Sequence, residues 1–167
     1  MGNNREEQDF LDLYEAHADT VFRRCYFKTS NRDVALDLTQ EAFMRVWNYL
    51  AKGQRVDNMK AFLYTVVNNL IKDWYKKKKA VALSRIEVIA EEIPDPSINI
   101  EQGAETAHVV RVMSRLDDGD RELITMRFID GLSPRDIAEI LSEKENTVSV
   151  RLHRAIHRLR ELLHGER

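Results

Sequence analysis

The chain is 167 residues long and nearly balanced in charge, with 28 acidic and 26 basic side chains and a formal net charge of -2. This balance excludes a uniformly basic nucleic-acid coat protein but leaves room for a local basic patch. The single cysteine, Cys25, excludes an intramolecular disulfide and a cysteine-based zinc finger. Because glycine and proline are scarce and no apolar run reaches membrane-spanning length, we expect a reduced, cytoplasmic, all-α protein without membrane insertion.

Charge is distributed unevenly along the chain. Residues 1–80 carry a net charge of +3, residues 81–105 carry -5, and residues 106–167 carry 0. The acidic middle also contains Pro94 and Pro96, and proline blocks helix propagation and restricts the residue before it. The segment 81–105 therefore differs from the sequence on either side of it, because it is strongly acidic and contains two helix-breaking prolines.

This separation predicts two small helical domains. The first would span residues 1–83 and the second residues 105–167, with a flexible acidic linker over 84–104 between them. The alternative is that the acidic segment is a long surface loop of one domain. Loops of that length are uncommon inside compact domains, which favours the linker.

Two amphipathic patterns open the first domain. Apolar residues recur at helical spacing from Phe10 to Phe22. Asn31 then provides an N-cap for a second helix, which runs to about Leu50 before Gly53 breaks it. The apolar arc of this second helix consists of Ala35, Leu38, Ala42, Val46 and Tyr49. The opposite face, which either solvent or a partner would cover, consists of Asp37, Gln40, Glu41, Met44 and Asn48.

A third helix is predicted from about Asn58 to Lys79, and its C-terminal end is basic. Lysines at a helix C-terminus complement the macrodipole, which explains part of this pattern. Four consecutive lysines at 76–79 nevertheless repel one another, and a phosphate backbone would explain them better. Trp74 and Tyr75 lie beside these lysines. Stacking on single-stranded bases and packing in the core both remain open for the two aromatic side chains.

The second domain shows stronger local signals. A helix is predicted to start near Leu116, and Gly131 can end it in a left-handed conformation. Ser133 as N-cap, followed by proline at the first helical position and Asp136 three residues after the cap, predicts a short helix. A brief turn at 142–145 leads to a last amphipathic helix from about Asn146 to Leu163.

A short helix, a tight turn and a longer amphipathic helix form the helix-turn-helix arrangement. In this arrangement the second helix lies in the major groove of DNA, with its first turns at the base edges. A plain helical hairpin is the alternative, because Ser142 replaces the usual turn glycine and Glu143 stands where an apolar residue is common. The side chains expected on the exposed start of the last helix are Ser149, Val150, Arg151, His153 and Arg154.

The two halves together resemble the extracytoplasmic-function sigma factors, the small two-domain class of bacterial RNA polymerase sigma subunits. Residues 33–47 look like the family's region 2.2, whose core appears here as Asp37-Leu38-Thr39-Gln40-Glu41-Ala42-Phe43. Residues 61–74 look like regions 2.3 and 2.4, and residues 116–162 look like region 4. The order and spacing of these motifs carry the resemblance.

The resemblance implies a transcription initiation factor that catalyses no covalent reaction and needs no cofactor or metal. Its expected partners are core RNA polymerase through the β′ and β subunits, promoter DNA as duplex and as melted non-template strand, and an anti-sigma factor. No homo-oligomer is expected. The residues implied to bind the clamp helices of the largest polymerase subunit are Asp37, Leu38, Gln40, Glu41 and Met44.

The resemblance also implies two DNA-binding surfaces. The residues expected at the minus-10 element are Asn58, Lys60, Asn68, Asn69, Lys72, Asp73, Tyr75, Lys76 and Lys77. The residues expected at the minus-35 element are Arg135, Asn146, Thr147, Ser149, Val150, Arg151, His153 and Arg154. The loop 53–60 would hold a base flipped from the non-template strand, at an unstacking cost of a few kcal/mol. The acidic residues of 87–101 would follow the path of nascent RNA.

Four positions depart from the family pattern. They affect which promoter sequence is expected, but not the assignment to this class of sigma factors. Val67 replaces a common alanine and Asn68 a common arginine, while Ser149 stands where a basic residue is usual. Val150 replaces a small polar residue, and contact with a thymine methyl group is a hypothesis for it.

Two other functions compete with this interpretation. A stand-alone helix-turn-helix regulator would bind duplex DNA as a dimer, but the sequence contains no dimerisation heptad and this function leaves the melted-strand features unexplained. A metalloenzyme could use His153, His157 and Glu161, which are spaced to share one helix face. That spacing lacks the catalytic glutamate of the H-E-x-x-H motif, and Arg154 and Arg158 beside it would repel a cation.

Overall fold

The chain divides into two compact units, Met1–Pro94 and Asp95–Arg167. The structure is a computed structural model and describes residues 3–84, 108 and 111–165. Every regular element within these ranges is helical, which confirms the all-α prediction. Apart from Ser84, the predicted linker and its acidic and proline residues lie outside the described part of the chain.

The first unit contains three helices, α1 (Asn3–Thr29), α2 (Arg32–Ala51) and α3 (Met59–Ser84). They pack on one another, each against the other two. The predicted N-cap of α2 is confirmed, because the Asn31 side-chain oxygen accepts a hydrogen bond from the Val34 amide at 3.0 Å. The prediction that α3 ends near Lys79 was wrong, since the helix continues to the first residue assigned to the linker.

The core of the first unit follows the predicted apolar stripes in most positions, although Tyr14 on α1 is 48% exposed and Leu38 on α2 is only partly buried. Val21, Val46, Leu63 and Val67 are fully buried, and Cys25 is a buried thiol rather than an exposed nucleophile. Tyr49 was predicted to lie in the apolar arc of α2 but is 38% exposed. Its ring packs on the ring of Phe62 at 4.8 Å between centroids, at the edge of the core.

The second unit contains α4 (Asp118–Ile124), a π-helical segment (Thr125–Ile129), α5 (Pro134–Leu141) and α6 (Glu145–His164). Helices α4 and α5 both pack against α6. The change from α- to π-helical hydrogen bonding rotates the end of this run, and Phe128 and Ile129 are left exposed. Gly131 follows with a φ of +66°, as the left-handed conformation predicted for it requires.

Local caps fix the short helix α5 at both ends. Ser133 and Asp136 form a capping box, in which the serine oxygen accepts from the Asp136 amide at 3.1 Å and Asp136 accepts from the Ser133 amide at 2.9 Å. At the other end, Ser142 adopts a left-handed φ of 55°. Serine thus occupies the conformation that glycine usually supplies, which answers the objection raised by the missing turn glycine.

Ser142→Gly should stabilise the protein, because glycine adopts the left-handed conformation without steric cost. The expected gain in the free energy of unfolding is roughly 0.5–1 kcal/mol. The matched control is Ser149→Gly in the interior of α6, which should cost about 0.5–1 kcal/mol relative to wild type. Urea denaturation of the full chain measures both, and equal losses in the two variants would contradict the role assigned to Ser142.

Candidate partner and nucleic-acid interfaces

The polar face predicted on α2 is a surface face. Asp37 and Gln40 are exposed, and Met44 is 58% exposed, whereas Leu38 is partly buried and the Glu41 side chain is 43% exposed. The opposite side of the same helix is buried through Ala35, Ala42 and Val46. An exposed methionine beside two carboxylates combines adaptable apolar contact with negative charge, which suits a basic partner surface.

One member of this face already has a partner within α2. The Glu41 carboxylate accepts a hydrogen bond from Arg45 Nε at 2.7 Å, one helical turn away. An exposed i,i+4 pair of this kind contributes only about 0.3–0.5 kcal/mol, so a partner could replace it at little cost.

The outer face of α3 is exposed and largely basic. Asn69, Lys72 and Asp73 are exposed, as are the consecutive lysines 76–79. Lys76 Nζ lies 3.8 Å from Asp73 Oδ1, at the limit of an ion pair. Since this pair is highly exposed, it holds Lys76 only weakly. The face can therefore offer its lysines to phosphate groups.

Asn68 is partly buried, unlike the exposed Asn69 beside it, and its amide oxygen accepts hydrogen bonds from a buried arginine. Arg24 on α1 is only 3% exposed, and its Nε and Nη2 donate to Asn68 Oδ1 at 3.1 and 2.8 Å. A buried guanidinium needs hydrogen-bond acceptors to replace water, so this contact stabilises the pairing of α1 with α3. Asn68 is thus engaged within the unit, while Asn69 is the exposed amide at the predicted minus-10 surface.

Two further minus-10 candidates also take part in the fold. The Tyr75 hydroxyl donates to the Lys28 carbonyl near the end of α1, and partial burial raises the pKa of this phenol. The Asn58 side-chain oxygen accepts from the Ala61 amide at 3.0 Å at the start of α3. Tyr75 is still 40% exposed, so its ring edge remains accessible beside the lysines.

Lys60 lies near an imidazole of α1. Burial, with a smaller contribution from the charge of Lys60, lowers the pKa of His17. The His17 ring also meets the buried Tyr64 ring edge-on at 6.1 Å between centroids. The lowered pKa favours the neutral form of this imidazole.

The start of α6 presents most of the predicted minus-35 residues. Seven of the eight are exposed, namely Arg135 on α5 and Asn146, Thr147, Ser149, Val150, His153 and Arg154 on α6. Val148 and Leu152 on the other side of the helix are buried against the rest of the unit. Buried and exposed residues thus lie on opposite sides of α6, and the exposed side is mostly polar, which is the pattern expected of a recognition helix.

Arg151 is the exception among the minus-35 residues. Its Nη1 forms a salt bridge with Glu143 in the turn, and the two side chains are only 39% and 30% exposed. Its Nη2 lies 3.7 Å from the position that a β-carbon on Gly119 would occupy. The guanidinium therefore lies against the start of α4. The salt bridge to Arg151 also explains why a glutamate, Glu143, stands at a turn position where an apolar residue is common.

A second arginine fixes the angle of α6. Arg158 forms ion pairs with Asp117 and with the nearly buried Asp120, at the N-terminus of α4. The hydrogen bond from the Asp120 amide, with a further contribution from the charge of Arg158, lowers the pKa of Asp117. Hydrogen bonding to Asp120 raises the pKa of Arg158. Asp117 therefore both caps α4 and pairs with Arg158, so the same carboxylate stabilises the start of α4 and its contact with α6.

The metal-site hypothesis gains no support from this geometry. His157 Nδ1 lies 3.5 Å from Glu161 Oε2, as an exposed i,i+4 contact. Within 3–84, 108 and 111–165, no three histidine, cysteine, aspartate or glutamate side chains are arranged to hold a metal ion. No helix in these ranges is both long and apolar enough to cross a membrane.

Comparison with known protein families assigns both units. The family model described as Sigma-70 region 2 matches residues 13–81, and the model described as Sigma-70, region 4 matches residues 108–159. The two matches fall on α1–α3 and on α4–α6, in the order that a sigma factor requires. The chain belongs to the sigma-70 family.

Relatives that match nearly all of this chain give its class within the family. It is 28% identical to the ECF RNA polymerase sigma factor BldN of Streptomyces coelicolor, over 95% of this chain and 61% of BldN. It is 27% identical to the ECF sigma factor SigW of Bacillus subtilis, over 95% of this chain and 90% of SigW. The predicted resemblance to ECF sigma factors is confirmed, and the stand-alone regulator is not favoured.

A solved sigma factor structure has the same fold. It is the sigma factor RpoE of Bartonella quintana in complex with the anti-sigma factor NepR, and its TM-score is 0.68. The two sequences are 24% identical, and the alignment covers 96% of this chain and 99% of that one.

The sequence did not reveal the side chains that anchor α3 and α6 within their units. Arg24 contacts Asn68, 44 positions away, and Arg158 contacts Asp120, 38 positions away, whereas Glu143 contacts Arg151 only eight positions later. Glu143 was noticed only as an odd residue in the turn. A buried-position pattern around Arg24, with Val21 and Cys25 on the same side of α1, is the one signal that could have identified it.

Adjacent asparagines on α3 should behave differently when replaced by alanine. Asn68→Ala removes two hydrogen bonds from a buried guanidinium and should lower the free energy of unfolding by about 1–3 kcal/mol. The control, Asn69→Ala, replaces an exposed side chain and should change stability by less than about 0.5 kcal/mol. Thermal and urea unfolding of the full chain distinguish them. Equal effects would mean that the Arg24 contact contributes nothing.

Proposed function

We propose that the exposed face of α2 is the main docking surface of this sigma factor on core RNA polymerase. The observation that supports it is the separation of the helix into a buried apolar side and an outer side with Asp37, Glu41 and Met44. The family resemblance assigns this position to the clamp helices of the β′ subunit. An acidic face with an exposed methionine fits a basic helical partner with apolar positions of its own.

Promoter contact would then be divided between the two units. The exposed face of α3 would meet the minus-10 element as it melts, with lysines on phosphates and Asn69 toward the bases. The start of α6 would enter the major groove of the minus-35 element, while contact with the β subunit holds the second unit on the polymerase. The factor would act in the cytoplasm and catalyse no covalent step.

An anti-sigma factor is the expected regulator of this activity. The solved RpoE structure contains an anti-sigma factor. Because this chain has a similar fold, we propose that an anti-sigma factor binds it as well. The exposed apolar side chains of both units, among them Met44 and Phe128, would offer it contact area.

Charge reversal on α2 tests the docking surface. The double variant Asp37→Lys/Glu41→Lys should bind sigma-free core polymerase on the order of 100-fold more weakly, because like charges would then face the basic partner. Size-exclusion co-elution at micromolar concentration shows the loss directly.

The matched control is Glu15→Lys/Asp19→Lys on α1. These two carboxylates are also exposed and also one turn apart, so the change in net charge is the same. The proposal is supported if this control co-elutes with core polymerase and the α2 variant does not. Co-elution of both variants would move the docking surface away from α2, and failure of the wild type to co-elute would contradict polymerase binding altogether.

Replacing Lys76–Lys79 by alanine tests the basic end of α3. The logarithm of promoter affinity should fall less steeply with the logarithm of salt concentration, by up to about 3 units of slope if all four lysines contact single-strand phosphates. The charge-preserving control replaces the four lysines by arginine and should retain the wild-type slope. Filter binding of the holoenzyme across a salt series measures it, and an unchanged slope in the alanine variant would assign these lysines to the helix end alone.

A further inference from the structure

The first turns of α6 combine polar side chains with one exposed aliphatic side chain. Ser149, His153 and Arg154 are exposed, and Val150 between them is 51% exposed. Of the large hydrophobic side chains that the structure describes on α6, Val150 is the exposed one, while Val148 and Leu152 on either side of it are buried. A β-branched residue also lowers helix propensity relative to alanine, so neither the helix nor the core accounts for this valine.

The arginine next to Val150 is directed away from this face. Arg151 is held by Glu143 and lies close to Gly119. A guanidinium is the side chain that reads guanine, through the O6 and N7 atoms in the major groove. Because the salt bridge keeps this guanidinium against the turn and α4, the centre of the exposed face is occupied by the two methyl groups of Val150.

Base-pair edges in the major groove offer one methyl group, the 5-methyl of thymine, where cytosine has only a hydrogen. The purine edges there carry hydrogen-bond donors and acceptors, which would lose water against an aliphatic side chain without gaining a partner. A valine on a recognition helix therefore selects for thymine and against the other three bases.

We propose that Val150 is a specificity-determining residue that reads the methyl group of one thymine in the minus-35 element. This rests on the proposed function, in which α6 enters the major groove. The selection at that base pair comes from apolar contact rather than from hydrogen bonds, and Ser149 and Arg154 beside it hold the helix on the duplex.

Deoxyuridine substitution tests the contact, because it removes the methyl group and nothing else. A promoter is first selected from random DNA by the holoenzyme of core polymerase and the full chain. Each thymine of its minus-35 element, on either strand, is then replaced by deoxyuridine in turn. For the wild type, one replacement should weaken binding about three- to fivefold, the effect of one buried methyl group.

Val150→Ala should lose most of this sensitivity, because it lacks the two γ-methyl groups of valine and its side chain is shorter. Alanine is a better helix former at this exposed position, so the variant keeps its fold, which circular dichroism of the full chain verifies. The control Ser149→Ala changes the neighbouring position on the same face. Whatever its absolute affinity, its ratio of affinities for the thymine and deoxyuridine promoters should equal that of the wild type.

The outcomes separate this inference from the proposed function. If the wild-type holoenzyme selects and binds no promoter, the proposed function itself fails. If it binds a promoter but no deoxyuridine replacement weakens binding, or Val150→Ala keeps the wild-type ratio, the methyl-reading role of Val150 is wrong while the sigma assignment stands. A selected minus-35 element without thymine would overturn the inference in the same way.

Discussion

A buried cation determines how α3 lies against α1. Arg24 is 3% exposed, and a guanidinium removed from water is costly unless hydrogen bonds replace its hydration. Asn68 provides an oxygen for two of its N–H groups, and two turns later the Tyr75 hydroxyl donates to the Lys28 carbonyl. Because both contacts come from one side of α3, its other side is presented outward in a fixed register, with Asn69 and the lysines toward solvent.

The second unit fixes its last helix, α6, in a comparable way. Arg158 joins α6 to the acidic cap of α4, and Arg151 joins it to Glu143 in the turn. Both arginines lie on a helix that promoter DNA would approach, yet both are used within the unit. The arginines of α6 thus divide into two that hold the helix in place and others, such as Arg154, that are exposed to solvent.

Helix positions and caps could be predicted from the sequence because they depend on neighbours within a few residues. The Asn31 cap and the Ser133 capping box are of this kind. Periodicity also identified the exposed faces, but it does not say which polar side chain finds a distant partner. Asn68 and Asn69 are the same residue type on one helix, and only the approach of Arg24, 44 positions earlier, distinguishes them.

The central claim is that this chain, together with core polymerase, opens promoter DNA. Permanganate reactivity of unpaired thymines measures this on DNA selected by the holoenzyme. The account predicts reactive thymines in the minus-10 element of the non-template strand only when chain and core polymerase are both present. A chain that binds the same duplex by itself, with no reactive thymine after core polymerase is added, would contradict it and describe a duplex-binding regulator instead.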